Sequence, residues 1–296
     1  GKDLNIPGRE EASKNIHIGI DFLASVAFEH VSKIGKKVIV LGGGNTAMDC
    51  CRTAIRLGGK QVGVYVRSPK VDMKASDWEI EEAEMENIPI FENHVPKEFI
   101  IKDGKLRGML FEKVTAHYEN NKRKLVPTGE PLVEVECDDV LMAIGQDNAF
   151  EWIEKDLGIE FGEWDMPKVN KITMQSSLPK VFFGGDAAWG PENIITAVAH
   201  AHQAAISIDL FCNGKDLNER PEPHVFLKSS KMGLHEWSYD NGYDEVSRLS
   251  VPHADLKSTL KDRKLEVELG YDDEMAFKEA SRCLNCDAQT VFEESR

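Results

Sequence analysis

An α/β fold built on parallel strand–turn–helix units follows from three features of the 296-residue sequence. An apolar β run, Lys37-Val38-Ile39-Val40-Leu41, meets three glycines and passes straight into a helix-forming segment beginning at Asn45. A second β run, Gln61 to Val66, follows that helix after a Gly58-Gly59 stop, and a third, Asp139 to Ile144, runs into another glycine turn. Strands of this kind alternating with helices place the chain among parallel α/β folds, because a parallel pair needs a crossover longer than a hairpin can supply.

The first of these turns has chemical content. Gly42-x-Gly44-x-x-Ala47 between a strand and a helix is the Rossmann-like pattern for a dinucleotide. Gly42 allows the tight turn, Gly44 leaves room for a pyrophosphate, and Ala47 keeps the helix close to the sheet. The free N–H groups and positive dipole end of the helix, around Gly43, Asn45 and Thr46, then face the phosphates. A glycine-rich turn that binds nothing is the bland alternative. The second strand ends at Arg67, where an acid would hold a ribose 2′-hydroxyl and an arginine accommodates a 2′-phosphate. Arg67 therefore points to NADP(H) over NAD(H), against the simpler reading of a solvated strand-end charge.

Composition narrows the partners. Fifty-one acidic residues against 36 basic ones give a net charge of −15, which argues against nucleic acid and against an anionic membrane surface. Apolar and charged contents of 41% and 29% are those of a globular protein, and no uninterrupted apolar run is long enough for a bilayer. Six cysteines without secreted spacing fit a reducing cytoplasm. Cys50 and Cys51 read as buried small hydrophobes, and Cys137 and Cys212 as equally bland.

Along the chain, Leu4 to Gly8 is extended and Gly19 to Val31 reads as a helix with no strand before it. Asn45 to Leu57 is helical with Met48, Cys51 and Ile55 at core spacing. Ser76 to Asn87 is an acidic helix with Trp78, Ile80 and Met85 as a partial apolar stripe, and Ile88 to Phe91 is a short strand. Phe99 to Val114 makes a hairpin about Lys102-Asp103-Gly104-Lys105, and a turn near Pro127 precedes a strand at Leu132 to Glu136. Phe150 to Leu157 reads as a helix and Pro167 to Met174 as a strand. Val181-Phe182-Phe183 then delivers Gly184-Gly185-Asp186, followed by a helix from Ile194 to Phe211. His200 and His202, two apart on that helix, are not a metal pair and read as core or rim residues. After a linker at Glu219 to Pro223, His224 to Leu269 reads as an extended covering arm, and Asp272 to Ser281 as a short helix. The terminal Cys283-Leu284-Asn285-Cys286 allows three uses: iron–sulfur ligands, half a zinc site or a redox pair, with a structurally idle pair as the fourth reading.

Together these segments resemble the small-subunit family of NADPH-dependent glutamate synthase and its flavin- and pyridine-nucleotide-dependent relatives, over Leu4 to about Leu210. Leu4-x-Ile-Pro-Gly8 with Asp21-Phe22-Leu23 resembles the crossing from flavin domain to nucleotide domain, and Ala143-Ile144-Gly145-Gln146 the return. Gly42 to Cys50 is nearly the nicotinamide-nucleotide signature. Tyr65-Val66-Arg67 resembles a Tyr-Arg-Arg whose paired arginines receive the 2′-phosphate, with Val66 replacing the first. Gly184-Gly185-Asp186 and the start of the following helix, Asn193, Ile194 and Ile195, resemble the C-terminal part of an FAD site. There the Asp contacts the ribityl–pyrophosphate region. The helix end faces the flavin pyrimidine edge, favouring the anionic reduced flavin by about 0.3–2 kcal/mol.

The resemblance implies an α/β architecture in which a nucleotide domain (35–143) is inserted in a partial FAD-binding domain (1–34 and 144–213), followed by a polar arm (214–296) ending in Cys283 and Cys286 as candidate cluster ligands. The expected chain is a fragment lacking the N-terminal FAD-binding and iron–sulfur segments, with an incomplete FAD site. The implied relay runs from NAD(P)H to flavin and on to an iron–sulfur or acceptor subunit. No side chain is nominated as acid or base, since hydride transfer needs none. The rival is a non-catalytic nucleotide-binding or scaffolding subunit of a redox complex. The sequence carries no signal for oligomeric state.

Overall fold

A computed structural model describes residues 1–119, 122–220 and 247–282. The chain divides into two compact units, Gly1–Asp147 with Glu245–Arg282, and Asn148–Asp244 with Cys283–Arg296. In chain order the first unit contains β1 (Ile16–Ile18), α1 (Gly19–Ala27), β2 (Lys37–Leu41), α2 (Asn45–Arg56), β3 (Gln61–Tyr65), α3 (Asp77–Met85) and β4 (Ile90–Phe91). An antiparallel set follows: β5 (His94–Lys102), β6 (Lys105–Glu119), β7 (Lys122–Pro127) and β8 (Val133–Glu136), before the chain re-enters the parallel sheet as β9 (Asp139–Met142).

The parallel sheet has the order β1-β9-β2-β3-β4. Its strands are apolar at successive positions because both faces are covered, as parallel sheets require. Val38, Val40, Val62, Val64 and Leu141 face α1, α2 and α3, in one cluster with Phe22, Met48, Cys51 and Ile80. Ile39, Leu41, Tyr65, Val140 and Met142 face the antiparallel sheet and pack with Phe99, Met109 and Phe111. Each large side chain so buried contributes about 1.5–3 kcal/mol. Tyr65 is stacked between Phe91 and Phe111, both at 4.6 Å, which joins the two sheets at the end of β3.

Two apolar faces define a layer but not a register, since a one-residue slip exchanges one greasy set for another. Polar contacts at the entering ends of the strands fix it. Asp139, at the start of β9, accepts hydrogen bonds from Gly35 N–H (2.7 Å) and Asn15 Nδ2 (3.1 Å), and His17 Nε2 stands 3.1 Å away. Lys37 N–H donates to Asp138 Oδ2 at 2.9 Å. These bonds pin β1, β9 and β2 side by side. α3 is held to α2 by a buried network in which Arg56 grips Glu86 with two nitrogens, at 2.7 and 2.8 Å, and Arg52 Nε bonds the same carboxylate at 3.0 Å.

The structure departs from the sequence expectations in several places. A strand does precede the first helix: β1 has three residues with a histidine in the middle, too short to show a pattern, and exists because β9 offers it an edge. That helix stops at Ala27 rather than Val31, where Glu29 takes a positive φ of 62°. Of the expected stripe on α3 only Ile80 is buried, together with Ala83, while Trp78 and Met85 are exposed. β7, basic in sequence and unanticipated, pairs with the far half of the long β6. In the second unit, Phe150 to Leu157 forms turns and one 3-10 turn rather than a helix. Pro167 to Met174 and Val181 to Phe183 make isolated bridges rather than strands. A small core of Ile153, Phe183 and Ala188 sets that unit's order, with Phe150 and Phe161 against it. It continues through α4 (Asp186–Trp189) to α5 (Ile194–Cys212). α5 meets the length and composition of a membrane span. It nevertheless carries His200, His202, Gln203 and Asp209. Back in the first unit, the described part of the arm before Leu269 is not simply extended, forming α6 (Leu256–Thr259) and a bridge between His253 and Glu268, while α7 (Asp273–Ser281) is the short helix expected there.

Burial pushes the Asp139 carboxyl up, but the bonds from His17, Gly35 and Asn15 outweigh it and hold its pKa below the ordinary 3.8. A carboxyl depressed in the folded state contributes stability that is fully present above its unfolded value and is lost as pH falls through the folded one. Asp139→Ala should therefore lower the unfolding free energy by about 1–3 kcal/mol at neutral pH, the cost of stranding buried donors. It should also flatten the loss of stability below about pH 4, the unfolded carboxyl range. Urea melts of both proteins between pH 3 and 7 measure the two effects.

Candidate functional site

The carboxyl ends of β2, β3 and β9 converge on the glycine elbow, the edge of an open α/β sheet where ligands bind. Gly42 has a φ of +131°, and a Cβ there would lie 2.2 Å from the carbonyl oxygen of Ala143. Its N–H donates to Tyr65 O at 3.1 Å, while Ala143 N–H donates to Leu41 O at 2.8 Å. Gly42 is thus clasped between the strand ends on either side, and only glycine satisfies both the angle and the space.

Gly43 faces inward. A Cβ on it would touch Met73 and Val66, both at 3.2 Å, and its carbonyl accepts from Lys74 N–H (2.8 Å) and Ala75 N–H (3.0 Å). Gly44 is different again: its φ of −107° suits any residue, and among the described residues nothing lies within 4 Å of the position a Cβ would take. The backbone gives no reason for glycine there, but a ligand drawn up against it would.

Gly44 is also the N-cap of α2, with no side chain among the described residues capping the helix. The N–H groups of Asn45 and Thr46 have no hydrogen-bond partner among the described residues. Asn45 is tied elsewhere by its side chain, whose Oδ1 accepts from Ser76 N–H at 2.9 Å. Ala47 is fully buried, seating the helix on the sheet. An uncapped helix start with open space before it is the kind of place where an anion can sit. Arg67 is exposed one residue beyond Val66 and makes no ion pair among the described residues. Ile144 packs against the second core, and Gly145, with a φ of +110°, accepts a bond from Lys2 N–H at 2.9 Å. Gly42 to Ala47, Arg67 and Ala143 to Gly145 are therefore neighbours in one unit.

Gly185, Asp186, Asn193, Ile194 and Ile195 lie together in the second unit. Gly185 adopts φ 59° and ψ −147°, and its N–H donates to His200 Nδ1 at 3.1 Å. His200 so acts as a clasp between α5 and the Gly-Gly-Asp turn, a role beyond the core or rim position its spacing indicated. Asp186 Oδ1 accepts from Glu192 N–H, and Asn193 caps α5 by accepting from Thr196 N–H at 2.8 Å. Ile194 and Ile195 are more than 80% exposed at the helix start. Cys283 and Cys286 lie outside the described residues. Of the other cysteines, burial pushes the Cys51 and Cys137 thiols up to about 12 and raises Cys50 further, away from the reactive thiolate, whereas Cys212 is exposed.

The profile described as pyridine nucleotide-disulphide oxidoreductase matches residues 1–205. The chain belongs to that family. Among curated relatives, it is 31% identical over 287 residues to the NADP(+)-dependent formate dehydrogenase subunit beta of Moorella thermoacetica, covering 96% of this chain and 40% of that one. It is 33% identical over 186 residues to the glutamate synthase [NADPH] small chain of Escherichia coli, covering 60% and 39%. The chain therefore spans less than half the length of these relatives. Among solved structures, thioredoxin reductase of Lactococcus lactis superposes with a TM-score of 0.56 at 25% identity, covering 72% of this chain and 63% of that one. The resemblance to glutamate synthase small subunits is thus a true kinship, and FAD and NADP(H) are the family's cofactors.

The two elbow glycines should behave oppositely. Gly42→Ala forces a backbone clash and a strained φ, and should cost about 2–4 kcal/mol. Gly44→Val meets no atom and should cost about 1 kcal/mol or less, as a poor N-cap. Thermal unfolding of the two variants measures the contrast.

Proposed function

We propose that the elbow holds the diphosphate of NAD(P)H, and that the chain is the nucleotide-handling part of a flavoprotein oxidoreductase passing reducing equivalents to an acceptor subunit. The observation that carries this reading is the open face of Gly44 beside two unpartnered N–H groups at an uncapped helix start. A structural glycine needs neither.

In this reading the N–H groups of Asn45 and Thr46 bind one phosphate and the α2 dipole favours its charge. Arg67 meets the ribose 2′-phosphate. Gly42 and Ala143 fix the elbow so that binding requires no rearrangement. A flavin, when bound, would supply hydride acceptance from NAD(P)H and onward release of single electrons. The Gly185 turn fits a phosphate-bearing chain passing close to the backbone, Asp186 would meet its ribityl–pyrophosphate part, and the start of α5 at Asn193, Ile194 and Ile195 would face the flavin ring. No general acid or base is assigned. Onward transfer belongs to an iron–sulfur or other acceptor partner, since Cys283 and Cys286 alone supply half of a cluster's usual four thiolates.

Calorimetric titration with NADPH and NADH tests the reading. Binding of either by the unmodified chain is expected, with loss of at least about tenfold in affinity for Gly44→Val, the scale of one displaced charged hydrogen bond. An unchanged affinity in a folded Gly44→Val protein would show that the diphosphate lies elsewhere.

A further inference from the structure

Where the arm meets α3, carboxylates outnumber the cations that serve them. Arg52 of α2 is shared three ways: it bonds Glu82 Oε2, stands 3.0 Å from Glu86 Oε1 and lies 3.6 Å from Glu79 Oε2. Arg56 is spent on Glu86. At 3.6 Å Arg52 is too far to hydrogen-bond Glu79. Glu79 Oε2 is closed to solvent and has no hydrogen-bond partner among the described residues. Burial raises the pKa of the Glu79 carboxyl above the ordinary 4.5, and the charges of Asp49, Glu82 and Glu268 add to the rise against the pull of Arg52. A shielded acceptor without a donor, among like charges, marks a place short of positive charge.

The arm brings two further ligand groups to the same place. Ala254 N–H donates to Val267 O and Leu269 N–H to Pro252 O, both at 2.8 Å. His253 and Glu268 are therefore opposite one another between the two bonds. In antiparallel pairing this is the closer kind of pair, with both side chains on one face. One ligand atom each from His253, Glu268 and Glu82 of α3 lies within 4.8 Å of the other two. Glu268 enters no ion pair among the described residues. The group is more than an acidic patch, because an imidazole is held between two carboxylates by backbone pairing on one side and a helix on the other.

We propose that His253, Glu268 and Glu82 form a site for a divalent transition ion, Zn²⁺ by its donor set, that staples the arm to α3. One imidazole nitrogen and two carboxylate oxygens suit zinc, which takes three such protein ligands and keeps a fourth position open. Ligand atoms about 2.0–2.2 Å from one zinc stand about 3–4 Å apart, and rotation of the exposed His253 and Glu268 side chains covers the difference. The ion's two charges offset the surplus that Arg52 leaves around Glu79. The site takes no residue from the elbow, and its role is to hold the arm in place.

The test uses the full chain carrying Cys283→Ser and Cys286→Ser, so that the terminal thiols take no metal. After treatment with EDTA and its removal, the protein is titrated with Zn²⁺ and with Mg²⁺ by calorimetry and melted with and without each ion. One Zn²⁺ per chain is expected, bound at least about tenfold more tightly than Mg²⁺, with a rise of several degrees in the unfolding midpoint at saturation. His253→Ala and Glu268→Gln, both at exposed positions, should each weaken Zn²⁺ by at least about tenfold and remove the rise. Their metal-free midpoints should stay within about 2 °C of the parent, which separates a lost ligand from a lost fold. No Zn²⁺ binding, an affinity unchanged in either variant, or Zn²⁺ and Mg²⁺ bound alike as by a patch of acids overturns the site. Binding without the rise in midpoint overturns the staple.

Discussion

The contact between Gly42 and the Ala143 carbonyl governs the first unit. Two strand ends, from segments about a hundred residues apart in the chain, approach so closely at this point that a single methyl group would not fit. The approach aligns β2 with β9, leaves α2 starting at Gly44, and brings the Ala143–Gly145 segment beside the elbow. The positive φ of Gly42 turns the chain sharply before the uncapped start of α2. The candidate site is therefore a by-product of sheet packing, preorganised before any ligand arrives.

Around this point the three glycines divide their duties. Gly42 serves the fold, Gly43 anchors the loop after β3 through its carbonyl, and Gly44 serves neither. Identical residues side by side thus differ in what a Cβ would meet, two of them required by the packing and the third not. The same division runs through the layers. Apolar side chains on both faces of the parallel sheet supply cohesion without register, and a few buried or half-buried polar groups, Asp139 foremost, supply register without much cohesion.

The second unit is built otherwise. Its described core is small, only Ser207 and Leu210 of α5 are buried, and its apolar start at Ile194 and Ile195 is exposed. Order there rests on local hydrogen bonds: the His200 clasp on Gly185, the Asn193 cap, and Arg220 bonding Ser207 Oγ at 2.7 Å. Those local devices explain why the sequence reading of helix and strand for 150–174 went astray. Apolar residues at plausible spacing satisfied the pattern, but no strand among the described residues paired with them, and they settled into turns and isolated bridges.

Sequence alone determined the elements whose signal is local: the β2–α2 unit with its glycines, the β5–β6 hairpin about Asp103-Gly104, the long α5, and hence the family. Strong short-range periodicity and turn chemistry specify such pieces wherever they sit. Tertiary structure decided what depends on a distant partner. β1 became a strand because β9 presented an open edge, and β7 because the long β6 ran on past β5. His200 became a clasp because a glycine turn lay against it. Lys74 came to the elbow through a carbonyl thirty-one positions earlier in the sequence. Hydrogen bonds and close approaches between remote segments leave no periodic trace in a sequence, and only folding brings their two halves together.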